Sequence, residues 1–68
     1  MTQPVLLIGG MDSSGGAGLA RDLLAVQASG QTARLAVTAV TAQTDRRVLA
    51  VEPVAPSLLA VQIEAALE

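Results

Sequence analysis

Five of the six glycines in this 68-residue chain lie within ten residues, between Gly9 and Gly18. They follow a short apolar run, Val5-Leu6-Leu7-Ile8, that does not alternate in polarity. Such a run predicts a strand buried on both faces, as in a parallel sheet, and the glycine-rich segment after it predicts a loop. A loop of this composition lets the backbone approach a ligand closely and can direct free N–H groups at it.

The segment after the loop has helical periodicity. We expect a helix to begin at about Ala17 or Gly18 and to end near Gly30, a residue typical of the position after a helix. Ser13 and Ser14 are candidates for capping its first turn. Its apolar side chains recur at i, i+4 and i+7 and form one stripe: Leu19, Leu23, Val26.

The second half of the chain predicts two more extended segments and a helix. Leu35 to Val40 is rich in β-branched residues and predicts a strand, and Thr41 to Arg47 is polar and predicts a loop. Val48 to Val54 predicts a short edge strand or extended segment, because Pro53 limits pairing. A helix is predicted from near Pro56, with an apolar stripe formed by Leu59, Ile63 and Leu67.

This order of elements is typical of the opening of an α/β sheet that is mostly parallel. Strands buried on both faces need helices on both faces, and two helices are too few to cover them. Glu64 and Glu68 lie at the end of the last helix, where the helix dipole disfavours carboxylates. We therefore expect residues 1–68 to be the N-terminal part of a single longer domain.

Composition excludes several classes of site. The chain has no cysteine and no histidine, so it has neither thiolate nor imidazole metal ligands and no Ser-His-Asp triad. Four arginines against six acidic residues, with a net charge of −2, do not form the basic surface that nucleic-acid binding requires. No apolar run approaches the roughly 20 residues that span a bilayer. The start, Met1-Thr2-Gln3-Pro4, lacks the positive charge of a signal peptide, so we expect a cytoplasmic protein.

Two familiar phosphate-binding motifs do not fit the glycine loop. Gly10 and Gly15 have the spacing of a P-loop, but Gly16-Ala17 stands where that motif needs Lys and Ser or Thr. Gly16-Ala17-Gly18 begins a dinucleotide fingerprint, but Arg21 takes the position of its third glycine. The loop is dense in glycine and carries Asp12, Ser13 and Ser14 between its glycines. Two interpretations are therefore equally open, a tight turn and a loop that faces a ligand.

Four segments resemble one family. Residues 8–23 read IGGMDSSGGAGLARDL, and residues 37–43 read VTAVTAQ. They are similar to the G-x-D-x-S-G-G-A-G-[ILV]-Q-A-D-[LI] and V-T-A-[LV]-T-x-Q signatures of the hydroxymethylpyrimidine and phosphomethylpyrimidine kinases of thiamine biosynthesis. Val48 to Val51 and Pro56 to Ile63 resemble later family patterns, with Gln62 in register. The resemblance runs along nearly the whole chain and covers about the first quarter of a family member.

The resemblance implies a ribokinase-like three-layer α/β fold with a mostly parallel central sheet. It implies transfer of the ATP γ-phosphoryl group to 4-amino-5-hydroxymethyl-2-methylpyrimidine and then to its monophosphate. In the family, the ATP site, Mg²⁺ and the catalytic aspartate lie near the C-terminal end. We therefore expect no catalytic residue up to Glu68 and no kinase activity from residues 1–68 alone. A homodimer is one possible assembly.

Gln43 is the first candidate for substrate binding. A glutamine amide can donate to a ring nitrogen and accept from an exocyclic amine at once, and an aminopyrimidine edge offers that pair. The resemblance places Gln43 on the ring. Without it, a solvated loop glutamine would be the ordinary interpretation.

Further candidates follow from the same signatures. In the resemblance Gly10 lies beside the pyrimidine, and Gly16 belongs to the turn that positions the phosphate or hydroxymethyl end. Asp12 has two interpretations, an Asx-turn that holds the loop and a substrate contact. Asp22 has two as well, compensation of the helix dipole and a substrate contact. Val40, at the end of the second strand, is expected to pack on a ring face.

Some positions depart from the family pattern. Ala20-Arg21 replaces the usual Gln-Ala, Ser13 stands where proline is common, and Thr44 to Arg47 replaces a frequent Asn-Thr-Arg-Gly. Two alternatives therefore stay open. One is a pyridoxal-type kinase of the same superfamily. The other is a small non-catalytic α/β module that assembles through its apolar helices, with Leu59, Ile63 and Leu67 as the interface.

Overall fold

The computed structural model describes residues 3–68, which form three strands and two helices. In chain order these are β1 (Val5–Asp12), α1 (Gly18–Ala28), β2 (Ala33–Gln43), β3 (Val48–Pro53) and α2 (Pro56–Ala66). The strands lie in the order β1-β2-β3; β1 and β2 are parallel, and β2 and β3 are antiparallel. The predicted α/β class is confirmed, with a mixed sheet rather than a wholly parallel one.

Both long strands extend further than predicted. We expected β1 to end at Ile8, but it continues to Asp12 because its glycines pair with the backbone of β2. We expected Thr41 to begin a loop, which is wrong: Thr41 pairs with Asp12 on one side and with Val51 on the other. Backbone pairing on both sides outweighs the polar composition of this segment.

The helices begin and end for local reasons. α1 begins at Gly18, as expected, but Ala17 precedes it and no side chain caps it, so the predicted serine cap is wrong. α1 ends in a Schellman motif: Gly30 donates to the Gln27 carbonyl, Gln31 donates to the Val26 carbonyl, and Gly30 has a φ of +82°. α2 begins at Pro56 as predicted.

Gly18 occupies a position that only glycine fits. Its φ is +65°, and a Cβ added there would collide with the carbonyl oxygen of Gly10 in β1. Met11 and Gly18 also form an isolated bridge. The glycine loop therefore folds back on the strand from which it came, which fixes where α1 starts.

The two helices flank opposite faces of the sheet. A Cβ on Gly9 would touch Leu19 of α1 at 3.6 Å. Arg34, three pairs away in the parallel register and so on the other face, donates to the Ala66 carbonyl at the end of α2 at 2.8 Å. The molecule is a narrow slab of 41 × 30 × 9 Å, and its least dimension matches three strands about 4.8 Å apart.

The core is small. Leu19 and Ala36 are the fully buried apolar residues among residues 3–68. The stripe of α2 is only partly used, because Leu59 and Ile63 are half-buried while Leu67 is 73% exposed. All of β3 is exposed, including Val48, Leu49 and Val51. No helix within residues 3–68 is both long enough and apolar enough to cross a membrane.

Candidate ligand pocket at the carboxyl ends of two parallel strands

The carboxyl ends of β1 and β2 lie side by side. Asp12, the last residue of β1, pairs with Thr41, two residues before the end of β2. This edge of a parallel sheet is where open α/β folds bind ligands, because the loops that leave neighbouring strands diverge there. The residues after both strands line a pocket of about 270 Å³: Asp12, Ser14, Gly16, Ala17, Gln43, Thr44, Asp45.

The Asp12 carboxylate organises the glycine loop. Only 7% of Asp12 is exposed, and its Oδ1 accepts hydrogen bonds from both the backbone N–H and the hydroxyl of Ser14, each at 2.8 Å. The predicted Asx-turn is therefore present. The bond from the Ser14 hydroxyl does most to hold the pKa of Asp12 below its ordinary value, followed by the Ser14 N–H. The N–H groups of Ala17 and Gly16 also lower it, while burial works in the opposite direction.

The loop therefore directs N–H groups at its own side chains rather than at an outside anion. The Ser14 N–H donates to the Asp12 carboxylate at 2.8 Å, and the Gly16 N–H donates to the Ser14 hydroxyl at 3.3 Å. An internal anion fills the concavity that a phosphate occupies in a phosphate-binding loop. A carboxylate in this position holds the loop in shape before any ligand arrives.

Ser13 connects this loop to β2. Its N–H donates to the Thr41 carbonyl at 3.3 Å, and its hydroxyl oxygen accepts from the N–H of Gln43 at 3.0 Å. A proline, which is common here in the resemblance, has no N–H and no hydroxyl and could make neither bond. Ser13 thus positions the Gln43 backbone instead of capping α1.

The Gln43 side chain is half-buried and oriented by a neighbour. Its Nε2 donates to the Thr41 hydroxyl at 2.7 Å, and that hydroxyl donates to the Met11 carbonyl at 3.2 Å. The Met11 carbonyl can only accept a hydrogen bond, so the Thr41 hydroxyl is the donor in that bond. The hydroxyl oxygen can then only accept a hydrogen bond from Gln43. An amide oxygen cannot donate that hydrogen bond. The nitrogen of Gln43 must therefore face Thr41, which leaves Oε1 and one N–H for a ligand.

The structure brings together three of the six predicted substrate residues. Asp12, Gly16 and Gln43 all line the pocket. Gly10 pairs with Ala39 inside the sheet, outside the lining. Val40, 50% exposed, lies on β2 between Met11 and Glu52, and Asp22 lies exposed on α1; neither belongs to the lining. Roles for these three in substrate binding stay predictions.

Part of the pocket was not predicted from the sequence. Thr44 and Asp45 line it from the turn after β2, although they depart from the family pattern. Thr41 was predicted only as the first residue of a loop, yet it orients Gln43. The spacing of Thr41 and Gln43 would have indicated this, because residues i and i+2 of a strand share one face.

The described residues do not fit Mg²⁺ or the ATP phosphates. Within residues 3–68, no group of three or more His, Cys, Asp or Glu side chains could hold a metal ion. Asp12 already accepts two hydrogen bonds from Ser14, and the pocket lining includes no Lys or Arg side chain to pair with phosphate.

The fold and the pocket together define an α/β protein with a pocket at the carboxyl edge of its parallel strands. The family model of the phosphomethylpyrimidine kinases matches residues 12–68. The chain is 43% identical to the hydroxymethylpyrimidine/phosphomethylpyrimidine kinase of Rhizobium meliloti over 96% of its length, and 43% identical to that of Haemophilus influenzae over 90%. The chain belongs to the phosphomethylpyrimidine kinase family.

Solved structures agree with this assignment. The phosphomethylpyrimidine kinase of Clostridium difficile superposes with a TM-score of 0.87 at 45% identity, over 91% of this chain and 29% of that one. The pyridoxal kinase of Staphylococcus aureus, solved with AMP-PCP and pyridoxal, superposes with a TM-score of 0.85 at 31% identity, over 98% and 25%. The fold is ribokinase-like, as the resemblance implied. The chain spans about a quarter of the length of its curated relatives, 24% and 23%.

Proposed function

We propose that this chain is the substrate-binding side of a kinase that phosphorylates 4-amino-5-hydroxymethyl-2-methylpyrimidine and its monophosphate with ATP. The observation that carries the proposal is the Gln43 amide, held at the pocket with its nitrogen on Thr41. The names of the relatives that are 43% identical supply the substrate class. Residues 1–68 would then be the N-terminal part of one kinase domain.

The exposed chemistry of Gln43 fits an aminopyrimidine edge. Oε1 would accept from the exocyclic 4-amino group, and the remaining N–H would donate to the neighbouring ring nitrogen. Gly16 and Ala17 would lie near the hydroxymethyl end, with the loop shaped by Asp12. Val40, Gly10 and Asp22 would come into contact only if the ligand extends beyond the lining of this pocket.

Phosphoryl transfer needs more than this site. It requires an ATP site, Mg²⁺ and a group that handles the proton or the developing charge. Among residues 3–68, no group of three or more His, Cys, Asp or Glu side chains could hold the metal ion. We assign these requirements to a region that corresponds to the rest of the relatives. The 68-residue chain alone is accordingly expected to show no ATP turnover with the pyrimidine, and ADP release by the pure chain would contradict this division.

A pyridoxal-type kinase is the second candidate, because pyridoxal kinases of 31% identity superpose on nearly the whole chain. The higher identity to the pyrimidine kinases, 43–45%, favours the pyrimidine. The two candidates differ in the ligand edge, since pyridoxal has no amino group next to a ring nitrogen for Gln43 to pair with.

The test is an NMR titration of the ¹⁵N-labelled chain with hydroxymethylpyrimidine and, in parallel, with pyridoxal. We expect the pyrimidine to shift the Gln43 side-chain amide and the backbone amides of Gly16 and Ala17, with weaker changes for pyridoxal. Gln43→Ala should lower affinity about tenfold, as the loss of paired hydrogen bonds in a partly buried site does. Gln27→Ala, on the exposed face of α1, is the matched control.

Two results would overturn the proposal. Equal affinity of Gln43→Ala and the unsubstituted chain would remove Gln43 from the site, and stronger binding of pyridoxal would favour the second candidate. The non-catalytic assembly module is tested separately, because its unfolding midpoint would rise with protein concentration. Such a dependence, without any pyrimidine binding, would replace the kinase proposal.

A further inference from the structure

The Thr41 hydroxyl lies between two groups of opposite hydrogen-bonding character. It donates to the Met11 carbonyl at 3.2 Å and accepts from Gln43 Nε2 at 2.7 Å. Met11 and Thr41 belong to neighbouring strands of the sheet, so the hydroxyl is fixed by backbone that the ligand does not move. The Met11 carbonyl of β1 therefore fixes the Thr41 hydroxyl, and the hydroxyl fixes the orientation of the Gln43 amide.

The order of the groups on Gln43 matters to a ligand. With Nε2 on Thr41, the outward edge offers an acceptor, Oε1, and one donor, the second N–H. A 4-aminopyrimidine presents a donor and then an acceptor, which matches that order. The 4-oxo analogue presents the reverse, a carbonyl oxygen beside a ring N–H, and would meet acceptor with acceptor and donor with donor.

A free glutamine could accept either ligand by rotating its amide by 180°. Here such a rotation would place Oε1 against the Thr41 hydroxyl, which already donates its hydrogen bond to the Met11 carbonyl. The hydrogen bond between Gln43 and Thr41 would therefore be lost. We propose that Thr41 is a positioning residue that makes this site select a 4-aminopyrimidine over its 4-oxo analogue by fixing the orientation of the Gln43 amide. The inference rests on the proposed function and adds to it the origin of substrate selectivity.

The test compares the dissociation constants of 4-amino- and 4-oxo-5-hydroxymethyl-2-methylpyrimidine, measured by NMR titration. The unsubstituted chain should prefer the amino compound. Thr41→Val keeps the shape but removes the hydroxyl, and should reduce that preference about five- to tenfold, mainly by improving binding of the oxo compound. Thr41→Ser keeps the hydroxyl and should restore the preference.

Thr38→Val is the matched control, because Thr38 lies in the same strand and its side chain makes no hydrogen bond within residues 3–68. It should leave the preference unchanged, and the backbone spectrum of each variant reports whether the fold is kept. If Thr41→Val kept the full preference for the amino compound, this inference alone would be overturned. The same would follow if Thr41→Ser folded but lost that preference. Binding of neither compound by the unsubstituted chain would overturn the proposed function as well.

Discussion

The pocket end of the β1–β2 pair and the β3–α2 half of the chain are stabilised differently. At the pocket, side-chain hydrogen bonds join Asp12 to Ser14 within the loop, Ser13 to Gln43 across the two strand ends, and Thr41 to Gln43 within β2. β3 and α2 instead expose much of their apolar surface, and none of their residues is fully buried. Exposed fractions exceed one half at several large side chains: Val48, Leu49, Val51, Leu58, Val61, Leu67.

The contrast shows how a site can be preorganised on a small core. Short polar side chains next to the strand ends reach each other without a large apolar interior, and each bond fixes the position of a group that faces the pocket. Apolar elements gain stability only in proportion to the area they bury, and here they bury little. At the pocket end, the hydrogen bonds that position the site thus also contribute to the stability of the fold.

The largest effect is expected where the pocket loop contacts its own strand. Gly18→Ala should lower the free energy of unfolding by about 2–4 kcal/mol, because it adds backbone strain at positive φ to a collision with the Gly10 carbonyl. Urea denaturation measures the change. Gly15→Ala is the control: its φ is +76° but its surroundings are open, so about 1–2 kcal/mol of strain is expected. Equal losses in the two variants would show that the collision is relieved by movement of the loop.

An intermediate effect is expected where α2 attaches to the sheet. The Gln62 amide accepts from the Val37 N–H at 2.8 Å and donates to the Val37 carbonyl at 3.0 Å, as a neighbouring strand would. Gln62→Ala should cost about 1–2 kcal/mol. It should also speed hydrogen exchange at the Val37 amide more than at other amides. A general loss of stability would speed exchange at all amides of the fold alike.

Gln27→Ala, an equal truncation on the exposed side of α1, serves as the reference for that measurement. If both variants left Val37 equally protected, α2 would be held by its apolar contacts alone. The β3–α2 half would then differ from the pocket end in that its Gln62 hydrogen bonds contribute nothing to its stability.

The smallest effect at neutral pH is expected from Asp12→Asn, because asparagine keeps an oxygen to accept from Ser14. The difference should appear in acid. Hydrogen bonds hold the folded-state pKa of Asp12 below its ordinary value of 3.8, so the stability it contributes is complete above that pH. It is lost as the pH falls through the folded-state pKa.

Asp12→Asn should therefore flatten the decline in stability below about pH 4, as followed by thermal unfolding between pH 2 and 7. Gln27→Ala, which removes no titratable group from the exposed side of α1, is the control and should leave the decline as it is. An identical acid profile for Asp12→Asn and the unsubstituted chain would mean that the Asp12 network does not stabilise the loop.

Most elements could be predicted from local pattern, and the errors lie where strands pair. The apolar run at Val5, the stripe of α1 and the proline at Pro56 act within a few residues, so their elements begin where expected. The residues from Thr41 to Gln43 look like a loop because their strand character comes from Asp12 and Val51, which are distant in sequence. Asp12, Gly16 and Gln43 were predicted as site residues from a resemblance, and backbone pairing brings them to one pocket.

The sequence by itself determined the α/β class, the glycine loop and the residue types available for binding, because each depends on local periodicity or on composition. Only the tertiary structure decided that Ser13 supports Gln43 instead of a helix, that the Ser14 N–H faces Asp12, and that Thr41 sets the direction of the Gln43 amide. The physical reason is that a hydrogen bond depends on where two groups meet. For Ser13 and Gln43, 30 residues apart, that meeting is made by the parallel pairing of two strands.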